Sequence, residues 1–251
     1  MKRTHRLVPG LIALLALTTS APAAQNKRGQ GKDEGWIKAF KVDPRELETV
    51  GENPFFILKP GYELVLEEKG ANPVRLVITV LDETKNVGGI ETRVVVERES
   101  RGGIPIEVSR NYYAIHPRTK DVYYLGEEVD IYKHGKVSGH EGAWAHGTNG
   151  AAFGLMMPGA PVQGLRHFQE LAPDVAMDRA EVVSVHERVA TRAGTFSDCL
   201  KTKETTPLEI FSTSYKLYAP GVGLVRDGDF ELVSYGMRGA PNGGPRSQET
   251  R

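Results

Sequence analysis

Residues 73–97 read PVRLVITVLDETKNVGGIETRVVVE. Two runs of apolar, β-branched residues, 73–81 and 90–97, flank the pair Gly88-Gly89. Branching at Cβ stiffens χ1 and suits a pleated surface better than a helix. Paired glycines are a turn signal. The stretch therefore predicts two strands joined by a turn, and the same pattern continues on both sides. Upstream, Pro60-Gly61 is a turn, after which Tyr62, Leu64 and Leu66 alternate with Glu63, Val65 and Glu67. Downstream, strand-like runs cover 104–114, 122–125 and 129–132. Beyond residue 180 they resume at 180–185, 187–190, 194–204, 210–219, 222–226 and 230–235, with Pro220-Gly221 and Asp227-Gly228 as turns. Strands of about five to eight residues with a turn every eight to twelve are the pattern of an all-β domain. We expect an all-β fold: a strongly curved antiparallel sheet or a partly closed β-barrel.

Two segments depart from this rhythm. Asp43-Pro44-Arg45-Glu46 has an N-cap side chain, Pro at the first helical position and Glu three residues after the cap. A short N-terminal helix of one or two turns, ending near Gly51, is expected. Residues 138–180 are rich in Gly, Ala and Met and alternate weakly, so they read as a long connection with a helical turn near Gln169. Long connections inside compact domains are commonly binding loops or lids.

The N-terminus carries a leader pattern. Lys2, Arg3 and Arg6 precede an apolar run over 7–17, and Ala21-Pro22-Ala23-Ala24 fits cleavage before Ala24. The run is shorter than the ~20 residues that span a bilayer as a helix. The domain expectation is a signal peptide over 1–23, a flexible lead-in over 24–35, one β-rich domain over 36–236 and a disordered tail over 237–251. No cysteine lies at the cleavage site, which excludes a lipid anchor there. The expected product is a soluble protein, periplasmic or extracellular, with no transmembrane segment.

The chain has 32 basic and 32 acidic residues, so loss of the three leader cations leaves it mildly acidic. A chain without a basic cluster has little pull on nucleic acid. Cys199 is the only cysteine. No intrachain disulfide can form, and Cys199 is expected to be a small buried hydrophobe.

Several segments together resemble a family of exported bacterial β-rich proteins of unassigned function. They are VDPRELETVGENPFFILKPGYELVLE (42–67), LDETKNVGGIETRVV (81–95), NYYAIHPRTKDVYYLGEE (111–128), HEGAWAHGTNGAAFGLMMPGAP (140–161), GTFSDCLKTKETTPLE (194–209) and KLYAPGVGLVRD (216–227). The last is also similar to TapB-like domains. The resemblance implies an exported, single β-rich domain and transfers no catalytic residue.

The functional expectation is a non-enzymatic binding or structural module of the envelope. A small apolar ligand is expected under the 138–180 connection, touching Trp144, Phe153, Met156 and Met157. No cofactor is implied by this reading. The alternative centres on residues 140–147, HEGAWAHG. His140, Glu141 and His146 offer ligand types suited to zinc or copper, as in a metal-binding protein or metal-dependent hydrolase. Zinc motifs that fix geometry place two histidines at i and i+4 on a helix; here the spacing is six among glycines. Glu127-Glu128 and the group Glu170, Asp174, Asp178 read as surface charge. Of Tyr112-Tyr113 and Tyr123-Tyr124, one of each pair should pack inside and the other face out. Core packing with ordinary β propensity accounts for them, and the alternative, an exposed tyrosine row, would suit an adhesion surface. Produced with its leader in an exporting host, the protein should start at Ala24 by intact mass. A product retaining residue 1 would remove the leader reading.

Overall fold

The structure, a computed structural model, describes residues 35–239. The leader, nearly all of the lead-in and the tail from residue 240 lie outside the described residues. In chain order the strands are β1 (Gly51–Asn53), β2 (Phe56–Leu58), β3 (Tyr62–Glu67), β4 (Val74–Val87), β5 (Ile90–Arg101) and β6 (Ile104–Ile115). There follow β7 (Val122–Lys133), β8 (Lys136–Gly139), β9 (Trp144–Ala145), β10 (Ala152–Met157), β11 (Arg166–Phe168) and β12 (Glu170–Leu171). The last five are β13 (Arg179–Thr191), β14 (Gly194–Thr206), β15 (Glu209–Ala219), β16 (Gly223–Asp227) and β17 (Phe230–Met237).

One antiparallel sheet runs β11-β13-β14-β15-β16-β17-β3-β4-β5-β6-β7-β10-β12. Its two ends, β11 and β12, are separated in the chain by Gln169 alone. Residues 166–168 pair with β13, and residues 170–171 pair with β10. At the switch, the Gln169 and Glu170 amides both donate to the Asp178 carbonyl, at 2.8 and 3.2 Å. The edge of β11 left open is taken by Ile37, which exchanges backbone hydrogen bonds with Arg166 and Phe168 at 3.0 Å each. The sheet is thus nearly closed into a barrel. Meanders on either side of the connection supply the rest, and β17 joins β3 to unite the two halves.

Two expectations are corrected here. The 138–180 connection is not structureless and does not simply lie across the barrel. It holds β8 to β12 and supplies the staves that bring the sheet round, and Gln169 sits between two short strands with no helical turn. Its strands are too short, at two to six residues, to show alternation. The N-terminal helix shrinks to one 3-10 turn, Pro44–Glu46, capped by Asp43. It stops because Glu48 is drawn into a two-bond bridge with Ile115 at the end of β6, both bonds 2.8 Å. Gly51 then begins a strand.

Apolar residues fill both sides of the wall. Inside, one cluster holds Leu58, Val80, Tyr113, Tyr124, Trp144 and Met157, and a second holds Leu66, Leu76, Cys199, Val225 and Leu232. Cys199 is fully buried as expected, and burial pushes its thiol up to about 11. Outside, Val94, Tyr112, Ala114, Tyr123 and Leu125 are covered by Phe40, Val42 and Leu47 from the N-terminal segment. Core packing therefore accounts for these four tyrosines, and they form no exposed row for adhesion. Tyr113 and Tyr124 do point inward, but their outward neighbours Tyr112 and Tyr123 are only 2% and 6% exposed.

Closure depends on close backbone approach at Gly154. A Cβ there would overlap the Gln169 carbonyl and stand 2.8 Å from the Glu170 nitrogen. Overpacking of this kind destabilises by about 1–3 kcal/mol. Gly154→Ala should lower the melting temperature markedly in a thermal scan. Gly139→Ala, whose Cβ would meet the movable carboxylate of Glu141, should change it little.

Candidate functional site

An aromatic file crosses the interior. Phe56 meets Tyr113 edge-on at 5.0 Å, Tyr113 stacks on Tyr124 at 4.7 Å, and Tyr124 meets Trp144 edge-on at 5.4 Å. A hollow lies at each end. At the Phe56 end, a cavity of about 50 Å³ is walled by Phe55, Phe56, Leu64, Ile78, Val80 and Val222, with Lys216 and Asp227 also on its lining. At the Trp144 end, a groove of about 470 Å³ opens between the β4–β5 turn, residues 143–151 and residues 172–175.

Each hollow has its own chemistry. Lys216, 2% exposed, bonds Glu204 at 2.9 Å and faces Asp227 at 3.7 Å. Burial alone pulls its pKa down, but the two carboxylates outweigh that and hold it well above the usual lysine range. The groove carries Lys85, which bonds Glu128 and the Tyr112 hydroxyl and lies 4.6 Å over the Tyr112 ring. Groove residue Glu127 is different. It is 2% exposed, and neither carboxylate oxygen has a hydrogen-bond partner. The Tyr124 hydroxyl on the same strand donates to Asn111 and, lying beside Glu127, lowers its pKa against the rise from burial. Glu170, 3% exposed, has one bare oxygen, and the Trp144 indole N–H beside it completes no hydrogen bond.

Local backbone explains why Glu127 and Trp144 meet. Gly126, at φ +150°, carries the register shift between β6 and β7. A Cβ there would stand 2.6 Å from the Trp144 carbonyl. Without that side chain, β9 pairs onto β7 with Trp144 opposite Glu127. Glu127 then projects inward, while Glu128 remains exposed and pairs with Lys85. This corrects the surface-charge reading of Glu127 and Glu170. Asp174 is exposed, as expected, but Asp178 is half-buried. The glutamates were missed because their strands have both faces covered, so polarity gave no clue to which glutamate turns inward. Gly126 within a strand pattern was the available signal.

Five interior acids are pushed up, each first by burial, with acidic neighbours adding to the rise and Lys216 offsetting part of it at Glu97, Glu170 and Asp178. Glu97 rises to about 7, Glu107 to about 9, Glu127 to about 8 and Asp178 to about 6; Glu170 rises well above the carboxylate range. Charged neighbours include Glu97 and Asp178 for Glu127, and Asp178 and Glu127 for Glu170.

The residues expected to touch a ligand divide between places. Trp144 lines the groove and Met156 lines the cavity. Met157 is 1% exposed in the core, and Phe153 packs on Tyr123 at 5.6 Å and His146 at 5.0 Å. The expected metal ligands go three ways. His140 is exposed, with Nδ1 2.8 Å from the Val129 carbonyl and 3.0 Å from Asp130. The Glu141 carboxylate folds back against Gly139. His146 lines the groove with its Nδ1 buried and bare, and burial lowers its pKa. Among the described residues, no group of three or more His, Cys, Asp or Glu is placed to hold a metal ion. Compared with family models, curated proteins and solved structures, the chain matches none.

An acid whose folded pKa is raised favours folding while protonated. That contribution is lost as pH climbs from the unfolded value of 4.5 through the folded one. Half-buried His146 and buried His167, both shifted down, act oppositely, but below about pH 7. Between pH 7 and 9 the acids dominate, so the melting temperature should fall across that window. Glu127→Gln should raise it at pH 9 and flatten the slope, and an unchanged slope would refute the Glu127 shift.

Proposed function

We propose that the chain is an exported binding module whose small ligand occupies the groove beside Trp144. The observation that carries this reading is size together with lining. Small-molecule pockets span about 300–1,000 Å³, and the groove falls within that range. Its apolar surface comes from Trp144, Ala151, Ala172, Pro173 and Val175, and its polar groups from Lys85, Glu128 and His146. Both suit an amphipathic ligand better than a wholly apolar one. Most of the wall belongs to the connection expected to cover a ligand. The interior cavity is a poorer candidate. A dry apolar cavity of about 150 Å³ is the scale that admits benzene, and the cavity is well below it. Of the 138–180 connection, Met156 alone reaches its lining.

The reading places the module outside the cytoplasm because of the leader pattern, and assigns it no reaction. Native mass spectrometry of the protein purified without denaturation should show a bound small molecule. Val175→Arg fills the groove from an exposed position, 47% accessible, and should remove the added mass while leaving the melting temperature unchanged. Wild-type protein at its bare mass, or an adduct that survives Val175→Arg, would refute the groove as the site.

A further inference from the structure

We infer that the groove takes an organic ammonium, whose charge is received by the Glu127 carboxylate beneath Trp144. The inference rests on the groove being the binding site and adds the ligand's chemistry. It stands on the placement of Glu127 among the groove residues, 98% removed from solvent, with two bare oxygens. A buried carboxylate without a partner is costly in its charged form. A polar side chain in that condition is completed by a ligand that donates to it. An ammonium brings three N–H donors and the compensating charge. Trp144, with the Tyr124 ring behind it, supplies the aromatic surface that favours cations.

The surroundings favour the same sign. Glu97 on β5, Glu170 on β12 and Asp178 ahead of β13 raise or share the negative potential at Glu127. Glu107 on β6 is raised in part by the Glu127 charge. Asn111, opposite in register, and Tyr124 on the same strand are neutral and bonded to each other. Lys85, the groove's own cation, is already matched by Glu128. Partial burial lowers the pKa of His146. Lys216 bonds Glu204, faces Asp227 and offsets part of the rise at Glu97, Glu170 and Asp178, but is not among the groups that act on Glu127. Among the described residues no cation pairs with Glu127, and burial followed by Glu97 pushes its pKa up to about 8, so it holds a proton at neutral pH. An incoming ammonium displaces that proton: Glu127 O–H breaks, the proton leaves to buffer, and the carboxylate pairs with the cation.

Calorimetric titration of the full chain tests this with three probes of equal length: butylammonium, 1-butanol and butyrate. At pH 8.5, butylammonium should bind at least about tenfold more tightly than either of the others. At pH 7 its binding heat should vary with buffer ionisation enthalpy, reporting close to one proton released. Its affinity should rise with pH up to about 8, a range in which an alkylammonium like that of lysine, pKa about 10.4, stays charged. Glu127→Gln should keep the fold, lose about tenfold or more in butylammonium affinity and abolish the proton release. Equal binding of the three probes, no butylammonium heat at millimolar concentration, or a Glu127→Gln variant that binds like wild type would overturn the ammonium inference. Binding of butylammonium unaffected by Val175→Arg would instead overturn the groove reading on which it rests.

Discussion

Backbone hydrogen bonding at the seam of the sheet is the constraint on which the rest of the structure depends. A sheet this long would otherwise present two open edges, each a template for unwanted pairing. The chain solves this with six residues, Arg166 to Leu171, that serve β13 over their first half and β10 over their second. The exchange at Gln169 is held by the single Asp178 carbonyl, and Ile37 satisfies the edge left over. Gly154 gives the second half room to approach. Once the seam is drawn together, the wall has an inside, and that inside sets the chemistry of every residue facing it.

That interior divides by charge management. At one end Lys216 is buried with Glu204 and Asp227. Such a pair contributes little net stability, but loss of one partner would strand the other. Toward the groove the pKa values of Glu97, Glu170 and Asp178 are raised although Lys216 offsets part of the rise, and Glu127 lies beyond that cation's influence. The aromatic file from Phe56 to Trp144 runs between the two regimes. Apolar packing supplies the stability that a chain with no disulfide needs, and the bare carboxylates of Glu127 and Glu170 lie buried below the groove, out of solvent.

The strands were legible because turn residues punctuate β-branched runs. The pairs 122–125 with 129–132, and 180–185 with 187–190, read as separate strands but are continuous in β7 and β13. The Gly126 bulge and the register shifts of β13 mask the alternation there. The seam was illegible, since β9, β11 and β12 have two or three residues each and their pairing comes entirely from distant strands. At the site, Trp144 was legible as an anchor in a Gly-rich stretch. Glu127 was not, because alternation assigns opposite faces to Glu127 and Glu128 without saying which is inward. Tyr112 and Tyr123 misled for a related reason: cover from Phe40 to Leu47 lies far away in sequence.

The placement of the seam in mid-chain governs how the protein folds. Local hairpins such as β4–β5 and β13–β14 join near neighbours and form early. The pairing of Tyr62 with Met237 must wait until both meanders exist. Non-local pairing is slow because loop entropy is lost before contacts compensate it. The late species is an open ribbon with sticky margins, so the rate of ring closure sets how long the chain is exposed to aggregation.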